Sequence, residues 1–184
     1  MRIVAGKHRG KQLNSPSDGS IRPTADRVRE SMFNILASRL GPVFEGVRVL
    51  DLFAGTGALG LEALSRGATH VTFVDTGAEA RGLIRDHIEA FGAGGVAKLL
   101  RRDATALGVP GSIKPFDLVF LDPPYGQGLG EKALAGLHAD NWLAPDATIV
   151  FEESADAEIT MPAGFELDDR REYGAAAVHF LRLV

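Results

Sequence analysis

Between Val47 and Ser154 the chain alternates short apolar runs with segments of helical period, and this alternation decides most of what it can fold into. The runs at 47–53, 70–75, 97–103, 116–122 and 147–154 read as strands. The segments at 57–67, 78–92 and 129–138 read as helices. Strands that are apolar along their whole length are covered on both faces. Strand–helix alternation of this kind builds a mainly parallel, doubly wound α/β sheet with helices on both faces. The last two segments, "GFELDDRREYG" and 176–184, have too little chain between them for a crossover helix and are expected to pair antiparallel.

Two elements precede the alternation. Residues 2–5 and 11–13, joined by the basic "GKHRGK", predict a small β-hairpin. "RPTADRVRESMFNILASRL" predicts a helix over about 25–39, with Thr24 as its cap and Val28, Met32, Phe33, Ile35 and Leu36 at helical spacing. The division is therefore a basic arm over 1–20 and one α/β domain over 21–184. A chain of 184 residues buries a core that needs no staples. It has no cysteine, which excludes disulfides, zinc–thiolate sites and a thiol nucleophile. The opening "MRIVAGKHRG" is too polar for a signal peptide and no apolar run reaches membrane-spanning length, so a cytoplasmic protein is expected.

The net charge of −4 argues against a polyanionic partner, but its distribution does not. Residues 1–30 carry seven basic and three acidic groups, a net +4, which leaves −8 on the rest. A basic arm on an acidic body is an electrostatic footprint for a polyanion.

After the first strand comes "DLFAGTGALG", where Gly55, Gly57 and Gly60 fit G-x-G-x-x-G. Such glycines serve a tight turn, close approach to a ligand and close helix–strand packing. Asp75 ends the next strand and is suited to a ribose hydroxyl. On these features alone a nicotinamide cofactor is allowed. Asp51, just before the turn, changes the balance: two carboxylates flanking the site suit a cationic ligand better than a pyrophosphate. S-adenosyl-L-methionine carries a sulfonium and an amino group and no phosphate. Asp103 ends the following strand and is placed for the adenine amino group, and Phe53 can pack near the cofactor. The bland alternative is that these acids only cap strand ends and helix N-termini.

"FLDPPY" ends the strand at 116–122 in the same cleft. Two prolines cannot continue a sheet, so they stiffen the exit and hold Tyr125 in place. An exocyclic amine on a base is a poor nucleophile, because its lone pair is spread into the ring. The Asp122 carboxylate and the Pro123 carbonyl can grip its hydrogens and aim the lone pair at the methyl group, with no metal and no covalent enzyme intermediate. Tyr125 can stack on the base. Other chemistry is poorly supplied. The five histidines form no metal-like pair, no G-K-[ST] follows the glycines, and Ser65 and Ser154 lack a nucleophile-elbow context.

Taken together, "MRIVAGKHRGKQL", "IRPTADRVRESMFNIL", "DLFAGTGALGLEALSRGA", "VFLDPPY" and "REYGAAAVHFLRLV" resemble the RsmD-type 16S rRNA (guanine-N2) methyltransferases over nearly the whole chain. The resemblance implies a Rossmann-like fold with a mainly parallel seven-stranded sheet and an antiparallel last strand. It implies S-adenosyl-L-methionine as donor, S-adenosyl-L-homocysteine as product, and guanine 966 (conventional rRNA numbering) in an assembled or partly assembled small subunit as target. Carried onto this chain, Asp51, Gly55, Gly57, Asp75, Asp103 and Ala104 match the cofactor positions, and Asp122, Pro123, Pro124 and Tyr125 the catalytic motif. Arg2, Lys7, His8, Arg9, Lys11, Arg22, Arg27 and Arg29 are candidates for RNA contact, although the stretch from Arg22 to Glu30 can equally close the cofactor site. A monomer meets every requirement. Removing residues 1–20 is expected to weaken RNA binding and spare cofactor affinity.

The chain departs from the family at two positions. Asp75 stands where a longer glutamate is common, and Asp86 where an asparagine is frequent. Two rival readings use the same motifs: an adenine-N6 or other amino-group methyltransferase acting on DNA or RNA, and a catalytically silent RNA-binding assembly factor.

Overall fold

The structure is a computed structural model that describes residues 1–18 and 25–184. Among the described residues, seven strands form one sheet: β1 (Arg48–Leu52), β2 (His70–Val74), β3 (Ala97–Leu100), β4 (Phe116–Leu121), β5 (Leu143–Ser154), β6 (Phe165–Tyr173) and β7 (Ala176–Leu183). Four helices accompany them: α1 (Asp26–Leu40), α2 (Ala58–Ser65), α3 (Ala78–Ala90) and α4 (Leu129–Ala139). The strand order is β3-β2-β1-β4-β5-β7-β6. The pairs from β3 through β5 are parallel, and β7 runs antiparallel to both β5 and β6. This is the doubly wound sheet with an antiparallel last strand that the alternation implied.

The central strands form because their residues are acceptable to two cores at once. Along β4, Leu118 and Phe120 belong to one apolar cluster, while Val119 and Leu121 belong to the other. One cluster fills the face under α1, α2 and α3, and the second lies under α4 around the fully buried Trp142. Strand order reverses between β1 and β4, and sheets of this kind open a ligand crevice at such a point, above the C-terminal strand ends.

The N-terminal segment folds back on itself through one antiparallel bridge, Arg2↔Gln12. The Ile3 and Gly10 amides donate to the Lys11 and Ile3 carbonyls at 2.9 and 2.8 Å. This segment is anchored to the body. Ile3 and Leu13 are 1% and 4% exposed in the core under α2, each contributing roughly 2 kcal/mol of burial. Gly6 lies against α2 so closely, at φ +84°, that a Cβ there would sit 2.0 Å from the Ser65 carbonyl oxygen. The covering segment explains why α2 is buried on nearly every side.

The first helix differs from its expected phase. Its buried residues are Arg29, Met32, Phe33 and Leu36, while Val28 and Ile35 are only half-buried. A charged residue takes the inner position because partners wait for it. The Arg29 guanidinium donates to the Arg2 carbonyl and to Asp26, and lies 3.8 Å from the buried Glu62 carboxylate. Residue Ala25 holds the cap position with no side-chain cap bond among the described residues, and Thr24 lies outside them.

Candidate active site

Strand β1 delivers Asp51 to the crevice, where the residue is 1% exposed. Oδ2 accepts the Gly60 N–H at 3.0 Å. Burial is the main reason its carboxyl is pushed up to about 8; the Gly60 hydrogen bond opposes this and the nearby Asp75 charge adds to it. Gly60 is needed for that contact. A Cβ there would meet Phe73 Cε1 at 2.5 Å, Val71 Cγ1 at 2.8 Å and Asp51 Oδ2 at 3.1 Å. The intervening turn is strained at Phe53, a non-glycine residue at φ 55°. Phe53 is half-buried against the α4-side core, and Gly57 occupies the cap position of α2.

Asp75 closes the far side of the turn. Its Oδ2 accepts the Gly55 N–H at 2.9 Å and its Oδ1 accepts the Gly77 N–H at 2.8 Å. Two backbone amides thus fix the carboxylate while leaving lone pairs for hydroxyl donors. The shorter side chain is therefore already in use as the clasp of the glycine turn.

Asp103 follows β3 and is exposed, with Oδ1 accepting from the Thr105 hydroxyl at 2.7 Å and the Thr105 amide at 2.8 Å. Those bonds hold its carboxyl below the ordinary value, the hydroxyl contributing most. Ala104 is buried beside it.

Strand β4 ends at Leu121 and hands Asp122 to the same edge. Pro123 is buried, Pro124 exposed, and Asp122 and Tyr125 half-buried. The Tyr125 hydroxyl donates to Glu152 Oε1 at 2.5 Å, and the Gly126 N–H donates to Glu153 Oε1 at 3.0 Å. Sequence reasoning missed both acids. They lie in a strand that runs buried from Ile149 through Glu153 with no break at the charges, and no local pattern in the sequence marks them.

The candidate RNA residues divide. Arg2, Lys7, Arg9 and Arg27 are exposed, and Arg27 lines an open groove with Glu30, Ser31, Asn34 and Arg171. His8 packs on Phe91 at 4.7 Å, and Lys11 places its ammonium on the same ring and on the Ala90 carbonyl. Arg29 is fully buried and holds the N-terminal segment to Glu62, so its position is that of an internal clamp. Arg22 lies outside the described residues. The glycine turn and the Asp-Pro-Pro-Tyr exit stand on adjacent strands, since Leu52 pairs with Leu121.

This arrangement has relatives. The family described as "Conserved hypothetical protein 95" matches residues 1–182. Ribosomal RNA small subunit methyltransferase D of Escherichia coli K12 is 36% identical over 178 residues, covering 96% of this chain and 87% of its own. The chain belongs to the RsmD family. A second RsmD-like relative, the putative rRNA methyltransferase YlbH of Bacillus subtilis, is 36% identical over 181 residues, covering 97% of this chain and 96% of its own. Among solved structures, the putative methyltransferase yhhF from Escherichia coli superposes with a TM-score of 0.84 at 34% identity, covering 100% of this chain and 97% of that one. The RsmD fold therefore extends through the N-terminal segment as well as the sheet.

Proposed function

We propose that this chain is an rRNA methyltransferase that moves the methyl group of S-adenosyl-L-methionine to the exocyclic N2 amine of a guanine in 16S rRNA. The target implied by the family resemblance is position 966 in the conventional numbering, in an assembled or partly assembled small subunit, in the cytoplasm. The observation that carries the reading is the juxtaposition of Asp122-Pro123-Pro124-Tyr125 with the acid-rich glycine turn at the ends of β4 and β1.

The residues fit the donor. A buried carboxyl held near 8 at Asp51 and a clasped Asp75 make a site that gains from a nearby cation. The donor supplies an electrophilic methyl on a sulfonium. Asp51 would hold the amino group of its methionine tail, Asp75 a ribose hydroxyl, and Asp103 and Ala104 the adenine end. Asp122 and the Pro123 carbonyl would accept the two amine hydrogens of the base and aim its lone pair. Tyr125 would stack on the base, with Glu152 fixing the hydroxyl of the ring. Arg2, Lys7, Arg9 and Arg27 would take phosphates.

Labelled S-adenosyl-L-methionine and small subunits lacking their natural methylations test the reading, with the product nucleoside identified. N2-methylguanosine at one 16S site is expected. A methylated adenine, or label entering DNA, would overturn the substrate assignment, and cofactor binding without transfer would overturn the enzymatic one.

A further inference from the structure

Glu152 engages only one of its two carboxylate oxygens. It is 8% exposed near the end of β5, on the face that Val150 shares with the α1-side core. Its Oε1 accepts the Tyr125 hydroxyl. Its Oε2 is shut off from solvent and has no hydrogen-bond partner among the described residues. A buried carboxylate oxygen without a donor is costly and rare enough to require a reason. Its position supplies one. The last β4–β5 pair is Leu121↔Phe151, and the next residues along these two parallel strands are Asp122 and Glu152. The orphan oxygen therefore belongs to the residue beside the group assigned to hold the target amine.

We infer that Glu152 is a specificity-determining residue whose Oε2 accepts the N1–H of the target guanine while Asp122 holds the adjacent N2 amine. This inference rests on the guanine-N2 reading above. The Watson–Crick edge of guanine presents N1–H and N2–H side by side, both donors. An ionised carboxylate is an acceptor only. Adenine places a bare N1 next to its amine, and a carboxylate facing that nitrogen sets lone pair against lone pair. The Asp-Pro-Pro-Tyr exit alone can grip either amine; a second acceptor on β5 makes the pair selective for guanine. The tyrosine bond contributes by fixing the side chain through the other oxygen, which leaves Oε2 for the base. A purely structural role, pinning the ring of Tyr125, would use Oε1 and leave Oε2 without purpose.

The test compares two small-subunit RNA substrates, one with guanine at the target and one with 2-aminopurine. The analogue keeps the amine at C2, but its N1 carries a lone pair and no hydrogen. Wild-type protein is expected to favour guanine in kcat/KM by about 10- to 100-fold, the range for a hydrogen bond to a charged group. In Glu152→Gln the side-chain amide can donate to the bare nitrogen, and the preference should narrow by about tenfold or more. Tyr125→Phe keeps the ring and releases Glu152 Oε1; it should slow both substrates and narrow the ratio by less than Glu152→Gln does, because the acceptor itself remains.

Equal transfer by the wild type to both bases would overturn the inference without recourse to any variant. An unchanged ratio in a Glu152→Gln protein that binds cofactor normally would overturn it too. If the wild type places no methyl on guanine N2 in small subunits, the functional reading fails first and this inference falls with it.

Discussion

His87 donates from Nδ1 to the Thr56 carbonyl at 2.8 Å, inside the glycine turn, while its Nε2 accepts the Asn14 N–H at 2.9 Å. A backbone amide only donates, so Nε2 carries no proton and the tautomer is fixed. One buried ring thus ties the N-terminal segment to the turn assigned to the cofactor. His87→Ala should destabilise the fold by about 2 kcal/mol or more, through a cavity and the removal of two hydrogen bonds. It should also weaken S-adenosyl-L-methionine binding severalfold. Thermal melting and calorimetry read the two effects; an unchanged cofactor affinity would mean that the turn holds its shape alone.

Asp51 gives the protein a pH signature. Its folded-state carboxyl titrates near 8, above the ordinary 3.8. A raised value means that the folded form keeps its proton while the unfolded form loses it. The contribution is complete below the unfolded value and is lost as pH climbs from about 4 to about 8. Asp51→Asn should flatten the stability profile in that window. A bound ammonium group favours the ionised form, so cofactor binding near pH 7 should release up to one proton. That release appears as a buffer-dependent binding enthalpy, and the Asn variant should abolish it.

Glu62 holds the N-terminal segment more firmly than a free arm would be held. It accepts the Val4 and Ala5 amides at 2.9 and 3.0 Å and Arg66 Nε at 3.0 Å. Glu62→Ala leaves the Val4 and Ala5 amides without their acceptor and Arg29 with Asp26 as its remaining carboxylate, and should cost about 2–3 kcal/mol. Protease cleavage ahead of α1 should then appear under conditions in which the wild type resists. Deleting residues 1–20 removes Ile3, Leu13 and the Asn14 hydrogen bond as well, so the deletion should lower stability and cofactor affinity together. This revises the expectation that such a truncation spares the cofactor.

Exposed Lys7 and Arg9 are better probes of RNA binding, since neither enters the core. Changing each to Ala should weaken binding uniformly across RNA sequences and lower the salt slope by about 1 for each phosphate no longer neutralised. Filter binding from low to moderate salt measures this. An unchanged slope would place the RNA on another face.

The sheet was legible because β1, β2 and β4 are covered on both faces, so each reads as a mainly apolar run with an acid at or next to its C-terminal end: Asp51, Asp75 and Asp122. The turn and the Asp-Pro-Pro-Tyr exit were legible because glycines and paired prolines have few other uses at strand ends. What escaped depends on partners distant in sequence. Val28 and Arg29 both fit the inner face of α1 by periodicity, and the partners that decide between them, the Arg2 carbonyl and Glu62, lie far off in sequence. The charge count described an arm, yet Ile3 and Leu13 fasten it, and an α2 apolar on all sides was the sign of a cover. Glu152 has no local signature, because its meaning comes from Tyr125 on the neighbouring strand exit.

The proposed chemistry stands or falls on Asp122 orienting the target amine. Single-turnover methyl transfer by Asp122→Ala, with cofactor affinity measured alongside, tests that role without an intermediary. The expected result is a fall of about 1,000-fold or more in the transfer rate, as when a positioning acceptor is removed from the reacting centre. Cofactor affinity should stay within about twofold of wild type, because the residues assigned to the donor lie on β1 and at the ends of β2 and β3 and not at Asp122. Transfer within about tenfold of the wild-type rate, in a folded protein with cofactor bound, would contradict the role given to Asp122 and assign the amine to another group.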